Sequence, residues 1–164
     1  MDAVRETDRL LVVGKGPVCD ALVPMALELG WEAVIATSMP EVERGLPRAR
    51  AVVVTSHDED VDAPALAAAL AARPSYIGSM GSRKSQARRR EWLLANGHSE
   101  ADLEPVHGPA GIDIGADGPA EIALSILAEM VATLRGRTGL GSLKDGTGPI
   151  HPELGPGEAF CPTG

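Results

Sequence analysis

The residues in this chain best suited to chemistry fall in one stretch, Tyr76–Arg90, with the sequence YIGSMGSRKSQARRR. A short apolar run leads into Gly78-Ser79-Met80-Gly81-Ser82, and a helical pattern with Arg83 and Lys84 in its first turn leads out. That arrangement suits an anion. Glycines let the backbone come close, the free N–H groups of a helix start point outward, and two cations add full charges. The charge distribution points the same way. The chain is −8 at neutral pH, yet residues 83–90 hold five of its fifteen lysines and arginines and none of its acids. The remainder has ten basic side chains against twenty-three acidic ones. An acidic protein that gathers positive charge at a glycine-rich helix start is built to hold a phosphate there. The competing reading is a solvated basic helix face after an ordinary turn.

The elements that must position this segment alternate between strand and helix. Leu10–Val13 is a short buried-strand run ending at Gly14, and residues 18–29 read as a helix closing at Gly30. Glu32–Thr37 and Ala51–Thr55 read as strands, with Ala63–Ala72 as an alanine-rich helix carrying Pro64 in its first turn. Ser75–Ile77 is a very short fourth strand, and Ser82–Asn96 a long helix stopped by Gly97. Ser99 and Asp102 have the spacing of a capping box, so a helical turn is expected after Ser99. A Gly/Pro-punctuated loop fills 107–118. The last helix spans Pro119 to about Leu134, with Ile122, Ile126, Met130 and Leu134 on one face. Alternation of this kind predicts an α/β fold: a Rossmann-like, doubly wound, mostly parallel sheet with helices on both faces. The domain is expected to occupy 1–137. Residues 138–164, with seven glycines and four prolines, read as a flexible or loosely docked tail. His151 and Cys161, both in that tail, are weak as a metal pair.

Other loops add candidates. Gly14-Lys15-Gly16-Pro17-Val18-Cys19 has the context of a dinucleotide fingerprint but lacks its third glycine. Pro17 removes an N–H, and the second strand ends in Thr37-Ser38 where a ribose-binding acid is expected. Nucleotide binding and a turn that only preserves the fold both fit. Cys19 at a helix start is either an activated thiol or a small packing residue. His57, after the third strand, is a ligand contact or a loop histidine capping the next helix. The acids 58, 60 and 62 fail the calcium-loop pattern. His107 and Asp113 bracket a Gly/Pro-rich path that suits a site wall or a structural corner. No hydrolase triad, zinc signature or Walker loop is present, so no catalytic residue is named and no metal is expected.

Composition narrows the class. One domain with 2% aromatic residues requires an aliphatic core. No apolar run approaches the roughly 20 residues needed to span a bilayer, and the N-terminus has no signal-peptide core. Two cysteines outside any CxxC pair fit a reduced cytoplasmic protein. Net acidity argues against nucleic-acid binding.

Taken together, LLVVGKGPV, TSHDED, YIGSMGSRKS and VHGPAGIDIGA resemble, in this order, the C-terminal Rossmann-like domain of the XdhC/CoxF family. These are accessory proteins of molybdenum hydroxylases such as xanthine and carbon monoxide dehydrogenases. The resemblance covers about residues 8–137. It implies a maturation role, non-catalytic or assisting sulfur transfer: binding molybdenum cofactor (molybdopterin or its cytosine dinucleotide), supporting its sulfuration and delivering it. It also implies one cleft lined by Gly14, Gly16, His57, Gly78, Ser79, Gly81, Ser82, Arg83, Lys84, His107 and Asp113. Because the first strand starts near residue 9, the family's usual N-terminal domain is expected to have no counterpart here. Expected partners are therefore the hydroxylase and either a cysteine desulfurase or a separate N-terminal-type chain, with a homo-oligomer also open. The alternative is an NAD(P)-dependent oxidoreductase using the first glycine loop.

Overall fold

Leu10–Val13 and Ala51–Val54 are apolar at every position, and a strand apolar on both faces has to be covered on both. A computed structural model describes residues 8–151 and shows how this is done. Five strands, β1 (Arg9–Val13), β2 (Glu32–Ala36), β3 (Ala51–Val54), β4 (Tyr76–Ser79) and β5 (Val106–His107), form one sheet in the order β2-β1-β3-β4-β5. Every pairing is parallel. The helices are α1 (Pro17–Glu28), α2 (Met39–Gly45), α3 (Asp62–Ala72), α4 (Arg83–Ala95) and α5 (Pro119–Leu134). Helices α1 and α5 cover the face carrying Leu10, Val12, Val53 and Tyr76. Helices α2, α3 and α4 cover the face carrying Leu11, Val13, Val52 and Val54. The doubly wound Rossmann-like fold is the one expected.

The apolar stripe of α5 behaves as its spacing requires: Ile126 and Met130 are fully buried, and Ile122 and Leu134 pack against the same cluster. The capping box forms reciprocally, Ser99 N–H donating to Asp102 and Asp102 N–H to the Ser99 hydroxyl, ahead of a short 3-10 turn, Ala101–Leu103. On α4, Leu93 is buried and Trp92 packs half-buried beside it, so both serve the core.

Three features differ from the sequence expectation. Helix α2 is new; Pro40 lies in its first turn, where a missing N–H costs nothing. The loop from 107 begins as a strand, β5, too short to show a period. Strand β4 runs on through Gly78 and Ser79, which are buried within the sheet. Of the tail, 138–151 are exposed, with a 3-10 turn at Leu143–Asp145 and an Arg137 hydrogen bond to the Ile150 carbonyl. Cys161 lies outside the described residues. Among those described, no helix is long and apolar enough to cross a membrane.

Gly14 joins β1 to its neighbours by donating to the Ala36 carbonyl at 2.8 Å. Its φ is +138°, and a Cβ there would lie 2.4 Å from Thr55 Oγ1 and 2.7 Å from Ser56 N. Gly14→Ala is therefore expected to cost about 2–4 kcal/mol through strain and overpacking. Urea denaturation should show a lower midpoint at unchanged slope.

Candidate functional site

Because all strands are parallel, the loops that follow them leave the same edge of the sheet. The chain steps outward from β1 to β2 and then crosses to β3 on the other side of β1, which places the topological switch between β1 and β3. Open α/β sheets bind ligands at that edge and near that switch. Backbone bonds tie the crest together: Met80 N–H donates to the Val54 carbonyl at 2.8 Å and Ala110 N–H to the Ser79 carbonyl at 2.9 Å. The crest thus carries Gly14, Gly16, His57, Gly81, Ser82, Arg83 and Lys84.

Under the crest lies a buried ion pair. The Arg89 side chain is 1% exposed and Asp62 is 0% exposed. Arg89 Nε donates to Asp62 Oδ2 at 2.8 Å, one terminal nitrogen to Ser79 Oγ at 3.0 Å and to the Met80 carbonyl, the other to the Ser56 carbonyl at 3.0 Å. Asp62 also takes hydrogen bonds from Arg88 and from Ala63 N–H. Gln86 completes the support, donating to the Ser79 carbonyl at 2.9 Å and accepting from the Ser79 hydroxyl at 2.9 Å. Arg89 and Gln86 were not singled out from sequence. Their signal is spacing: residues 86, 89 and 93 share a helix face, and Leu93 is buried there.

The basic helix start therefore divides into two groups. Arg88 pairs with Asp62 and with Glu59 at 3.4 Å, Arg89 with Asp62, and Arg90 with Glu100. Arg83 and Lys84 are exposed, with no ion pair among the described residues. Ser82 caps the helix by accepting from Ser85 N–H at 3.2 Å, leaving the Arg83 and Lys84 amides without an intrahelical acceptor. Gly16, with φ +110°, has open space where a Cβ would stand. His57 is exposed beside the buried Ser56.

The other expected site residues fall differently. Gly78 and Ser79 lie inside β4, where Ser79 is 0% exposed and its hydroxyl is shared by Gln86 and Arg89, so they support the crest from below. Asp113 is exposed, and among the described residues its carboxylate accepts only the Gly115 amide, within its own turn. His107 is placed on β5, with its ring 4.9 Å from that of Tyr76 and Nδ1 3.5 Å from Glu129 Oε1. That same carboxylate oxygen accepts from the Tyr76 hydroxyl at 2.7 Å and Gly111 N–H at 3.0 Å. Burial, reinforced by Glu129, pushes the Tyr76 phenol far up, so it serves as a fixed donor. Cys19 is not an activated thiol: it is 1% exposed, and burial, with help from Asp20, raises its pKa. At the end of β2, where the sequence shows no acid, Glu41 of α2 folds back and accepts both the Thr37 amide at 2.6 Å and its hydroxyl at 3.1 Å.

This sheet, its order and its glycine-rich crest define a Rossmann-type domain. Residues 10–130 match the XdhC Rossmann domain, and the chain belongs to that family. It is 30% identical over 128 residues to the molybdenum cofactor insertion chaperone PaoD of Escherichia coli, covering 77% of this chain and 40% of that protein. It is 28% identical over 148 residues to a probable xanthine dehydrogenase subunit from Bacillus subtilis, covering 76% and 42%. In structure it resembles a xanthine dehydrogenase from Bacillus halodurans, with a TM-score of 0.63 and 26% identity over 84% of this chain and 45% of that one. The chain thus spans less than half the length of each of these relatives.

Burial alone would push the Asp62 carboxyl up, but hydrogen bonds from Arg89, Arg88 and the Ala63 amide outweigh it and hold the group below the ordinary carboxylate range. The folded protein thus binds this proton less tightly than the unfolded chain. The resulting stability is complete above the unfolded value of about 3.9 and is lost as pH falls through the lower folded value. Asp62→Asn, which strands the Arg89 charge, is expected to cost about 3–5 kcal/mol at neutral pH. Urea melts should show that deficit narrowing below about pH 4 as the wild-type carboxyl takes up its proton.

Proposed function

We propose that this domain holds the phosphate of molybdenum cofactor, as molybdopterin or its cytosine dinucleotide, at the crest beyond β3 and β4. In that role it is a non-catalytic accessory in the maturation of a molybdenum hydroxylase of the xanthine or carbon monoxide dehydrogenase type. One observation carries the reading: Arg83 and Lys84 stand exposed at a capped helix start while their basic neighbours are consumed by internal pairs. The names of the relatives, a cofactor insertion chaperone and part of a xanthine dehydrogenase, point to the same service.

The residues present fit a phosphate group. Arg83 and Lys84 supply charge, the first-turn amides of α4 supply directed donors, and Gly16 leaves room beside β1. Glu41 offers a carboxylate at the end of β2 for a ribose hydroxyl of the nucleotide form. Bound, the cofactor brings the molybdenum centre; this chain's residues would grip its phosphate end and orient it for transfer. Sulfuration finds no carrier in Cys19, which is sealed in the core. A cysteine desulfurase or a separate N-terminal-type chain would supply that chemistry.

The second reading, an NAD(P)-dependent oxidoreductase on the Gly14–Gly16 loop, is favoured by the same Glu41 carboxylate. Thermal melts with NAD, NADP, AMP, CMP, CDP and extracted molybdenum cofactor separate the two. The accessory reading expects stabilisation by the cofactor or a cytidine nucleotide, and about tenfold weaker binding in Arg83→Ala and Lys84→Ala. A shift with NAD alone, abolished by Gly16→Val, would replace it with the oxidoreductase.

A further inference from the structure

We propose that Arg89, although basic and on the anion-facing helix, never meets the ligand: it positions the amides of His57 and Gly81, making the β3 and β4 loops a single receptor for a phosphate. This rests on the phosphate reading of the crest given above.

The guanidinium is sealed from solvent at 1% exposure and its charge is balanced by Asp62, so it adds little attraction of its own. Its donors are spent in three directions: on the carboxylate, on Ser79 Oγ, and on the carbonyls of Ser56 and Met80. The last two decide the shape of the site. The Ser56–His57 and Met80–Gly81 peptide bonds are trans, the one cis bond among the described residues being Gly108–Pro109. In a trans peptide the carbonyl and the following N–H point in opposite directions. A carbonyl drawn inward to Arg89 therefore turns the next amide outward. Those amides belong to His57 and Gly81, and neither donates to any acceptor among the described residues. Such an amide needs water or a ligand. His57 is exposed and Gly81 half-exposed, so a ligand can reach both.

Gly81 shows how closely the loop is drawn onto the guanidinium. Its φ is +137°, and a Cβ would lie 3.2 Å from Arg89 Nη1 and 3.3 Å from Ser85 Cβ. Two carbonyls, one hydroxyl and one carboxylate around a planar fork is a task for arginine; lysine has the charge without the span. Outward amides from two loops, next to the α4 start amides and Lys84, present donors from several directions. That set matches a tetrahedral oxyanion, a phosphate monoester or one phosphate of a diphosphate, better than a planar carboxylate.

The test is an amide ¹H–¹⁵N NMR titration of the full chain with inorganic phosphate and with CMP. In the wild type, His57 and Gly81 are expected to shift downfield together with Arg83 and Lys84, along one binding curve. In Arg89→Lys the His57 and Gly81 responses should vanish and affinity fall about tenfold, while Arg83 and Lys84 still respond and α5 resonances stay in place. The wild-type titration decides even if that variant does not fold. Shifts at Arg83 and Lys84 without His57 and Gly81 would overturn the positioning role and leave the phosphate site standing. Retained His57 and Gly81 responses in Arg89→Lys would also overturn it. No response anywhere on the crest would remove the phosphate reading itself.

Discussion

The Arg89–Asp62 pair is the constraint on which the loops after β3 and β4 depend. Taking two charges out of water costs several kcal/mol per ion, and the pair is tolerable only because its remaining hydrogen-bonding capacity is met. Here Arg88, the Ala63 amide, Ser79 Oγ and two loop carbonyls do so, and no buried side-chain nitrogen or oxygen among the described residues lacks a partner. The partners come from the start of α3, the middle of α4 and the ends of β3 and β4. A hydrophobic contact in the same place would hold these elements together without dictating which way the loop peptides face. A guanidinium dictates direction, because its donors are fixed in a plane.

A second, partly buried carboxylate organises the other face. Glu129 of α5 collects the Tyr76 hydroxyl and the Gly111 amide and stands 3.5 Å from His107. Asp62 thereby anchors the loops after β3 and β4, and Glu129 the loop after β5. Each acid is delivered by a helix packed on a different side of the sheet. The crest is shaped from beneath by polar groups at both places, whereas the central runs below it, Leu10–Val13 and Ala51–Val54, are aliphatic.

This arrangement also accounts for the use of charge. An acidic chain gains little from a scattered positive surface, so the basic segment of α4 is divided by function. Three arginines neutralise acids that the fold brings alongside, and the exposed Arg83 and Lys84 face solvent at the helix start. The acidic His57 loop is tempered in the same way, since Glu59 pairs with Arg88.

Much of the fold was legible in the amino-acid order, because periodicity, glycine stops and capping patterns are local properties. The runs at Leu10–Val13 and Ala51–Val54, the α5 stripe and the Ser99–Asp102 box all formed as their spacing requires. Helix α2 and strand β5 escaped because one is seven residues long with a proline in its first turn and the other spans two residues. Ser79 and Gly78 were misplaced because a strand's end is set by its ladder to β3 and β5, not by its own residues. The alternation of elements, the family pattern and the cluster of cations were all matters of chain order. Which cations stay exposed, why Cys19 is inert, and which loop carbonyls Arg89 holds were decided by the packed structure. The reason is distance: Asp62 is 26 residues from Arg88 and 27 from Arg89, and only the crossing of α3 and α4 at the ends of β3 and β4 brings them within a hydrogen bond.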